Sequence, residues 1–250
     1  MAVDLVHGRR PGDEPTYLAE VRELTRVLLV AGLSVGIVVI GLGSRIAMFL
    51  LRLTSPETVD GVVSDDGFEI GQVTLAGTYN LLTIGAAVGF IGAVAYVLVA
   101  PWLVGPTWLG RATVGITAGA MGGAMLLHAD GVDFTSTGPL WFAVTLFIVL
   151  PLLSGVAIAA ATDAVAAPGS WTSRGRWRWA LPLALVLLVP RTLVVVVVLC
   201  AVVAGLLLLR RLLLRRIQAS PVATFGVRAM FLAVPVLSFV ALGQDLVELY

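Results

Sequence analysis

Residues 26–45 read RVLLVAGLSVGIVVIGLGSR, eighteen uncharged residues held between two arginines. A helix rises 1.5 Å per residue, so about 20 apolar residues cross the ~30 Å hydrocarbon core of a bilayer. This stretch is the start of the first such segment, 27–50, and the rest of the chain repeats the pattern.

The 250 residues are 59% hydrophobic and only 12% charged, whereas soluble domains run nearer ~25% charged. Most of the chain must therefore face lipid or other apolar helices. Seven apolar stretches are found, at roughly 27–50, 74–100, 107–127, 139–163, 178–189, 192–209 and 227–244. They predict an all-α, polytopic transmembrane bundle of about seven spans covering 27–250. Residues 1–26 read as a cytoplasmic helix, with Pro15 suited to a first turn and Tyr17, Leu18, Val21 and Leu24 spaced along one apolar face. It is expected to run straight into the first span. The region 178–209 allows two readings. As one helix it would be ~48 Å long, too long for the core without strong tilt. A turn at Pro190-Arg191 divides it into two spans, the first only 12 residues long.

Charge decides for the turn. With it, thirteen of the sixteen arginines fall on one side: Arg9, Arg10, Arg22, Arg26, Arg111, Arg174, Arg176, Arg178, Arg210, Arg211, Arg215, Arg216 and Arg228. Only Arg45, Arg52 and Arg191 lie on or towards the other. Positive residues stay cytoplasmic, so the amino terminus is expected inside and the carboxyl terminus outside. Trp102, Trp108, Trp171, Trp177 and Trp179 then mark the inner interface and Trp141 the outer one. The first 25 residues are polar and carry both charges, which is not the pattern of a cleavable leader. A net charge of +1 argues against a nucleic-acid partner. Cys200 is the single cysteine, so no internal disulfide can form.

Lipid tails are as apolar as leucine, so helices in a membrane associate where small residues let backbones approach. Gly115, Gly119 and Gly123 form a ladder at i, i+4 and i+8 in the third span, expected to pack inside the bundle. Gly32 with Gly36, and Gly85 with Gly89, repeat the motif in the first two spans. Pro151 and Pro235 are expected to kink the fourth and seventh.

Two candidate sites stand out. Arg45 is a charge well inside a predicted span, and such charges usually have a partner or a function. Asn80 lies at a comparable depth in the next span, making Arg45 and Asn80 a candidate intramembrane polar pair. Arg45 could equally snorkel outward and tie down the first outer loop. The second site is the acidic outer surface, with Asp65, Asp66 and Glu69 in the first outer loop and His128, Asp130 and Asp133 in the second. Residues 61–71 read as a β-hairpin turning at Asp-Gly, and 131–134 could pair beside it as a lid. This surface is the candidate recognition surface. It lacks a recognised metal-ligand spacing, so no metal and no cofactor are predicted.

Catalytic templates are absent. His7 and His128 fall on opposite sides, which excludes a bis-histidine haem. There is no H-E-x-x-H. Ser154 lies deep in the fourth span, out of reach of His128. Asp163 and Asp245 sit near helix ends, not at mid-span. A membrane enzyme using the outer acids is the weakest reading.

The run Gly43-Ser-Arg-Ile-Ala-Met48, then Leu53-Thr-Ser-Pro56, Asp65-Asp-Gly-Phe-Glu-Ile-Gly71 and Gly131-Val-Asp-Phe-Thr135 resembles a family of uncharacterised actinobacterial multi-pass membrane proteins. The likeness covers about residues 26–165. It implies a cell-membrane location and an actinobacterial source, which suits a chain whose bases are all arginine. It implies no activity, cofactor or catalytic residue. The expected function is a non-enzymatic interaction or accessory subunit, with the bilayer and another membrane protein, or itself, as partners. The alternative is a small-solute or ion transporter or channel with Arg45 and Asn80 near its pathway. The lack of internal repeats and of a membrane-embedded acid counts against that.

Overall fold

The computed structural model describes residues 17–55, 74–127, 139–187, 202, 205 and 220–249. It is about 90% helical, with no strand among the described residues. Helix α1 runs unbroken from Tyr17 to Thr54 over 38 residues, so the N-terminal helix and the first apolar stretch are one element. Helix α2 spans Leu75–Val99, extended by a 3-10 turn at Ala100–Trp102. Helices α3 (Thr107–Leu126), α4 (Leu140–Ala166), α5 (Trp177–Leu187) and α6 (Pro221–Leu249) follow. Three of these are long and apolar enough to cross a membrane: α1, α2 with its 3-10 turn, and α4. Helix α3 matches the third apolar stretch in position, but its glycines make it less apolar. The proposed hairpin at 61–71 and most of 188–209 lie outside the described residues.

Starts are set by local chemistry. The Thr74 side chain accepts from the Gly77 amide at 3.1 Å and caps α2. Pro106 and Pro139, both extended, stand immediately before α3 and α4, where a missing amide proton costs nothing. Gly105, at φ +92°, turns the chain into α3 through a conformation that favours glycine.

Cross-helix bonds fix the directions. Arg26 of α1 reaches Val165 of α4, and Asp163 of α4 binds both Tyr96 of α2 and Arg111 of α3. These residues share one end of the bundle, the arginine end. At the opposite end Arg45 of α1 binds Thr78 of α2. Helices α1 to α4 therefore run alternately up and down. Leu242 of α6 joins Leu51, Leu127, Ala143 and Val144 in a cluster at the opposite end. Helix α4 lies at the centre: Ile158 and Ala159 pack with Leu28, Leu33, Phe90 and Ala93 of α1 and α2.

Two seams hold the bundle. In the first, α1 is π-helical over Leu29–Leu33 and again over Gly36–Leu42. In an α-helix five residues turn about 500°, which would leave Gly36 and Gly41 about 140° apart. The wider π turn, bonded i to i+5, brings them to one face. Both meet Gly85: a Cβ there would lie 2.5 Å from the Gly36 carbonyl oxygen and 2.7 Å from the Gly41 nitrogen. Gly89 abuts Gly32 and Gly36 in the same way. The second seam joins α3 to α4. A Cβ on Gly115 would lie 3.0 Å from the Leu152 carbonyl oxygen, and one on Gly119 3.0 Å from Leu152 Cβ. Gly155 approaches Gly115 from the other side, and Gly122 faces the ring of Pro151. Gly123 meets Ile148 of α4 and Leu242 of α6. The ladder of the third stretch thus packs within the bundle. Helices α4 and α6 continue through Pro151 and Pro235.

Large apolar side chains cover the outside, among them Ile46, Phe49, Ile91, Leu153, Leu237 and Phe239. Exposed apolar surface on this scale marks an interaction or membrane surface, and in hydrocarbon it needs no further covering.

Adding a side chain to the first seam should separate its backbones. Overpacking typically costs ~1–3 kcal/mol, so Gly36→Val and Gly85→Val should each lower the thermal midpoint in mild detergent. Gly226→Ala, inside α6 with nothing within 4 Å of its Cβ position among the described residues, should not lower the midpoint and should raise it slightly. Equal effects at all three positions would contradict the seam.

Candidate functional site

Arg26, Thr172 and the enclosed Asp163 gather at the arginine end in two neighbouring clusters, whereas buried Ser154 donates to the Leu150 carbonyl within α4. The first centres on Asp163, in the last turn of α4. A carboxylate there faces the negative end of the helix dipole, so it requires compensation. Tyr96 supplies it from α2, donating its hydroxyl to Asp163 Oδ1 at 2.7 Å. Arg111 supplies it from the first turns of α3, with Nε and Nη2 each 3.1 Å from Oδ2. The Asp163 side chain is 8% exposed and that of Arg111 35%. The carboxylate is therefore enclosed while the guanidinium reaches towards the surface.

The second cluster is built around Arg26, which is fully buried. Its Nε donates to Glu23 Oε2 at 3.1 Å, and its Nη2 bonds Glu23 Oε1. Nη1 donates to the Thr172 hydroxyl, and Nη2 reaches the Val165 carbonyl at 3.2 Å. Glu23, one turn earlier on α1, neutralises the charge. Val165 O belongs to the last turn of α4, where carbonyls have no partner within the helix. Arg26 thus caps α4 with a cation, the sign that its dipole favours. Ser170 also donates to Val165 O at 2.9 Å and lies 3.3 Å from the Thr172 hydroxyl. Thr172 sits in the 3-10 turn Trp171–Ser173, so this cluster ties α1, α4 and the connection to α5.

Chemically, both clusters are saturated clamps. Each carboxylate oxygen named accepts from a guanidinium or a hydroxyl, and no nucleophile stands beside a free base in either. Among the described residues no group of three or more His, Cys, Asp or Glu could hold a metal.

The residues expected from sequence are distributed differently. Arg45 donates from Nε to Thr78 Oγ1 at 3.1 Å and from Nη2 to the Thr74 carbonyl at 3.2 Å. That carbonyl also accepts from the Thr78 amide and hydroxyl at 3.0 and 2.9 Å. Arg45 is thereby fastened to the start of α2. Asn80 is exposed; two residues beyond Thr78 it stands about 200° around the helix, away from the face that Arg45 uses. Gly115, Gly119 and Gly123 lie in the α3–α4 seam. Asp65, Asp66, Glu69, His128, Asp130 and Asp133 lie outside the described residues.

The Tyr96–Asp163–Arg111 cluster was not anticipated, because the sequence reading sought acids at mid-span. Two signals pointed to it. Asp163 is an acid near the end of an apolar stretch, the wrong sign for a helix C-terminus. Up-down alternation also brings Arg111 and Tyr96 to that same end.

No family model matches the chain, and no curated protein or solved structure is significantly similar to it.

Removing the guanidinium should cost more than removing the enclosed acid. Arg111→Ala strands an enclosed carboxylate and should destabilise by about 3 kcal/mol, and Asp163→Ala, which strips two helices of a shared acceptor, by about 2 kcal/mol. Tyr96→Phe should cost about 1 kcal/mol. It should cost nothing further in an Asp163→Ala background, a coupling that reversible unfolding in mixed detergent would read. Additive losses would show that the tyrosine is held by something else.

Proposed function

We propose that this chain is a multi-pass protein of a bacterial plasma membrane, of an actinobacterial type, acting as a non-enzymatic interaction or accessory subunit. One observation carries the reading. The charges buried inside the bundle, Arg26 and Asp163, are consumed in bonds between its own helices. The α1–α2 seam, meanwhile, closes to backbone contact at Gly36, Gly85 and Gly89. The bundle is therefore a rigid platform, and recognition falls to the loops.

The orientation follows from charge. The arginine end is assigned to the cytoplasm and the Arg45 end to the outside. Exposed Trp108, Trp171 and Trp177 at the first end and Trp141 at the second are consistent with two interfacial belts. Helix α5 starts at the arginine end beside Arg22, and α6 ends near Leu51 and Leu127. This arrangement supports an odd number of spans with the carboxyl terminus outside. The acids of the outer loops, Asp65, Asp66, Glu69, Asp130 and Asp133 with His128, are then the recognition surface for another membrane protein or a second copy.

A transport reading would place Arg45 and Asn80 on a pathway. Arg45 is instead engaged by Thr74 and Thr78, and Asn80 stands on another face of α2, so the interaction reading is preferred.

Affinity purification from native membranes in mild detergent should yield a stoichiometric companion. Replacing Asp65, Asp66 and Asp133 together by Asn should abolish its capture while leaving the thermal midpoint of the bundle unchanged. Undiminished capture would reject the acidic surface. A solute flux in proteoliposomes that disappears in Arg45→Ala, with the fold intact, would reverse the ranking in favour of transport.

A further inference from the structure

Six arginines of the described residues cluster at the arginine end around α1, α3 and the connection from α4 to α5, and they divide sharply. Arg26 and Arg111 are paired with Glu23 and Asp163. Arg22, Arg174, Arg176 and Arg178 form no ion pair among the described residues. These four share one surface. Arg22 of α1 lies over the Trp179 ring, 5.4 Å from its centroid, which joins α1 to the first turn of α5. Arg174, Arg176 and Arg178 follow at alternate positions through the turn into that helix, with Gly175 at φ +65° reversing the chain between the first two. The Arg174 guanidinium folds back over Gly169, where an added Cβ would lie 2.9 Å from Nη2. Arg178 Nε is shut off from solvent with no acceptor, although every guanidinium donor seeks one. Among these unpaired cations stand two tryptophans, Trp171 and Trp177, 63% and 70% exposed.

A solvated basic face would not need large exposed indoles, and an apolar face would not carry four unpaired guanidinium groups. The combination fits one environment, the headgroup layer. Indole rings settle there, and Arg forks match the oxygens of a phosphate in pairs. The geometry points to a binding site for anionic phospholipid headgroups, formed by Arg174, Arg176 and Arg178 with Trp177 beside them and Arg22 completing the rim. The lipid phosphodiester takes the place that Glu23 and Asp163 fill for Arg26 and Arg111. This inference rests on the membrane reading above and adds a specific ligand class and location to it.

The test uses the full chain purified in neutral detergent and measures retained lipid by native mass spectrometry during titration with phosphatidylglycerol, cardiolipin or phosphatidylcholine. Anionic lipids should be retained and phosphatidylcholine not. Substituting Arg174, Arg176 and Arg178 together by Gln should weaken retention about a hundredfold, since each surface cation contributes several-fold to attraction for anionic lipid. The corresponding triple Lys variant should keep most of it, separating lost charge from lost fold, and Arg52→Gln at the opposite end should change nothing. Retention that ignores lipid charge, or that survives the triple Gln change, would overturn the site. So would equal binding of inorganic phosphate at the same concentration, which would make it a phosphate site without lipid. Carbonate extraction of the source membranes reports separately on the premise. A chain washed off the membrane overturns both readings, whereas one that stays but retains no anionic lipid overturns only this one.

Discussion

Backbone contact between α1 and α2 is the constraint on which the bundle depends. In hydrocarbon, burying leucine against leucine releases no water, so two helices gain by approaching closely enough for dispersion and weak carbonyl contacts to accumulate. Gly36 and Gly85 achieve this only because α1 departs from α-helical geometry. Two π-helical segments widen its turns and bring Gly36 and Gly41 to the same face. Once α1 and α2 are joined there, the pair presents Leu28, Leu33, Phe90 and Ala93 as one surface, and α4 packs on it through Ile158 and Ala159. Helix α3 then closes on α4 through a second glycine seam. The order is hierarchical: without the first seam there is no face for α4, and without α4 no partner for α3.

Polar clamps at the two ends complement those seams. A glycine contact sets the distance between helices but tolerates sliding, because small residues offer few features to lock. Directional bonds remove that freedom. Arg45 fixes α1 against the start of α2 at one end. Asp163 and Arg26 fix α4 against α1, α2 and α3 at the other. The buried ion pairs are costly to desolvate and add little net stability compared with apolar packing. Their value lies in register, since a one-turn slip of α4 would leave Asp163 without Arg111.

Much of this was legible in the sequence, and the limits have physical causes. Helical class and the positions of the long apolar helices followed from hydropathy, which needs only length and composition. The glycine ladder at 115, 119 and 123 was legible because i, i+4 spacing marks one helical face. The pairing of Gly36 with Gly41 was not, because five-residue spacing means opposite faces unless the helix is π, and no local rule announces a π turn. Arg45 stood out in the sequence as a charge inside an apolar stretch, and it bonds Thr78 and Thr74. Matching depth in the membrane pointed to Asn80, whereas rotation around α2 sets Thr78 on the face that Arg45 uses: Thr78 and Asn80 share a depth but not a face. Tyr96, Arg111 and Asp163 lie at the ends of three different helices, and only their alternating direction makes them neighbours.

The two populations of arginine at one end connect stability to function. Near a membrane surface a cation can be satisfied by a protein carboxylate, by water or by a lipid phosphate. Two acids at this end, Glu23 and Asp163, are paired with Arg26 and Arg111. Lipid phosphate cannot reach the fully buried Arg26, and an unpaired charge there would cost several kcal/mol. The outward arginines are left to the solvent and the headgroups. In a bundle assembled this way the buried charges of Arg26 and Asp163 are paired within the chain, so binding at either surface need not disturb the seams. That separation suits a platform that holds another component in the membrane better than it suits a carrier. A carrier must break and remake internal contacts at each turnover, and here those contacts would include the glycine seam and the Asp163 clamp.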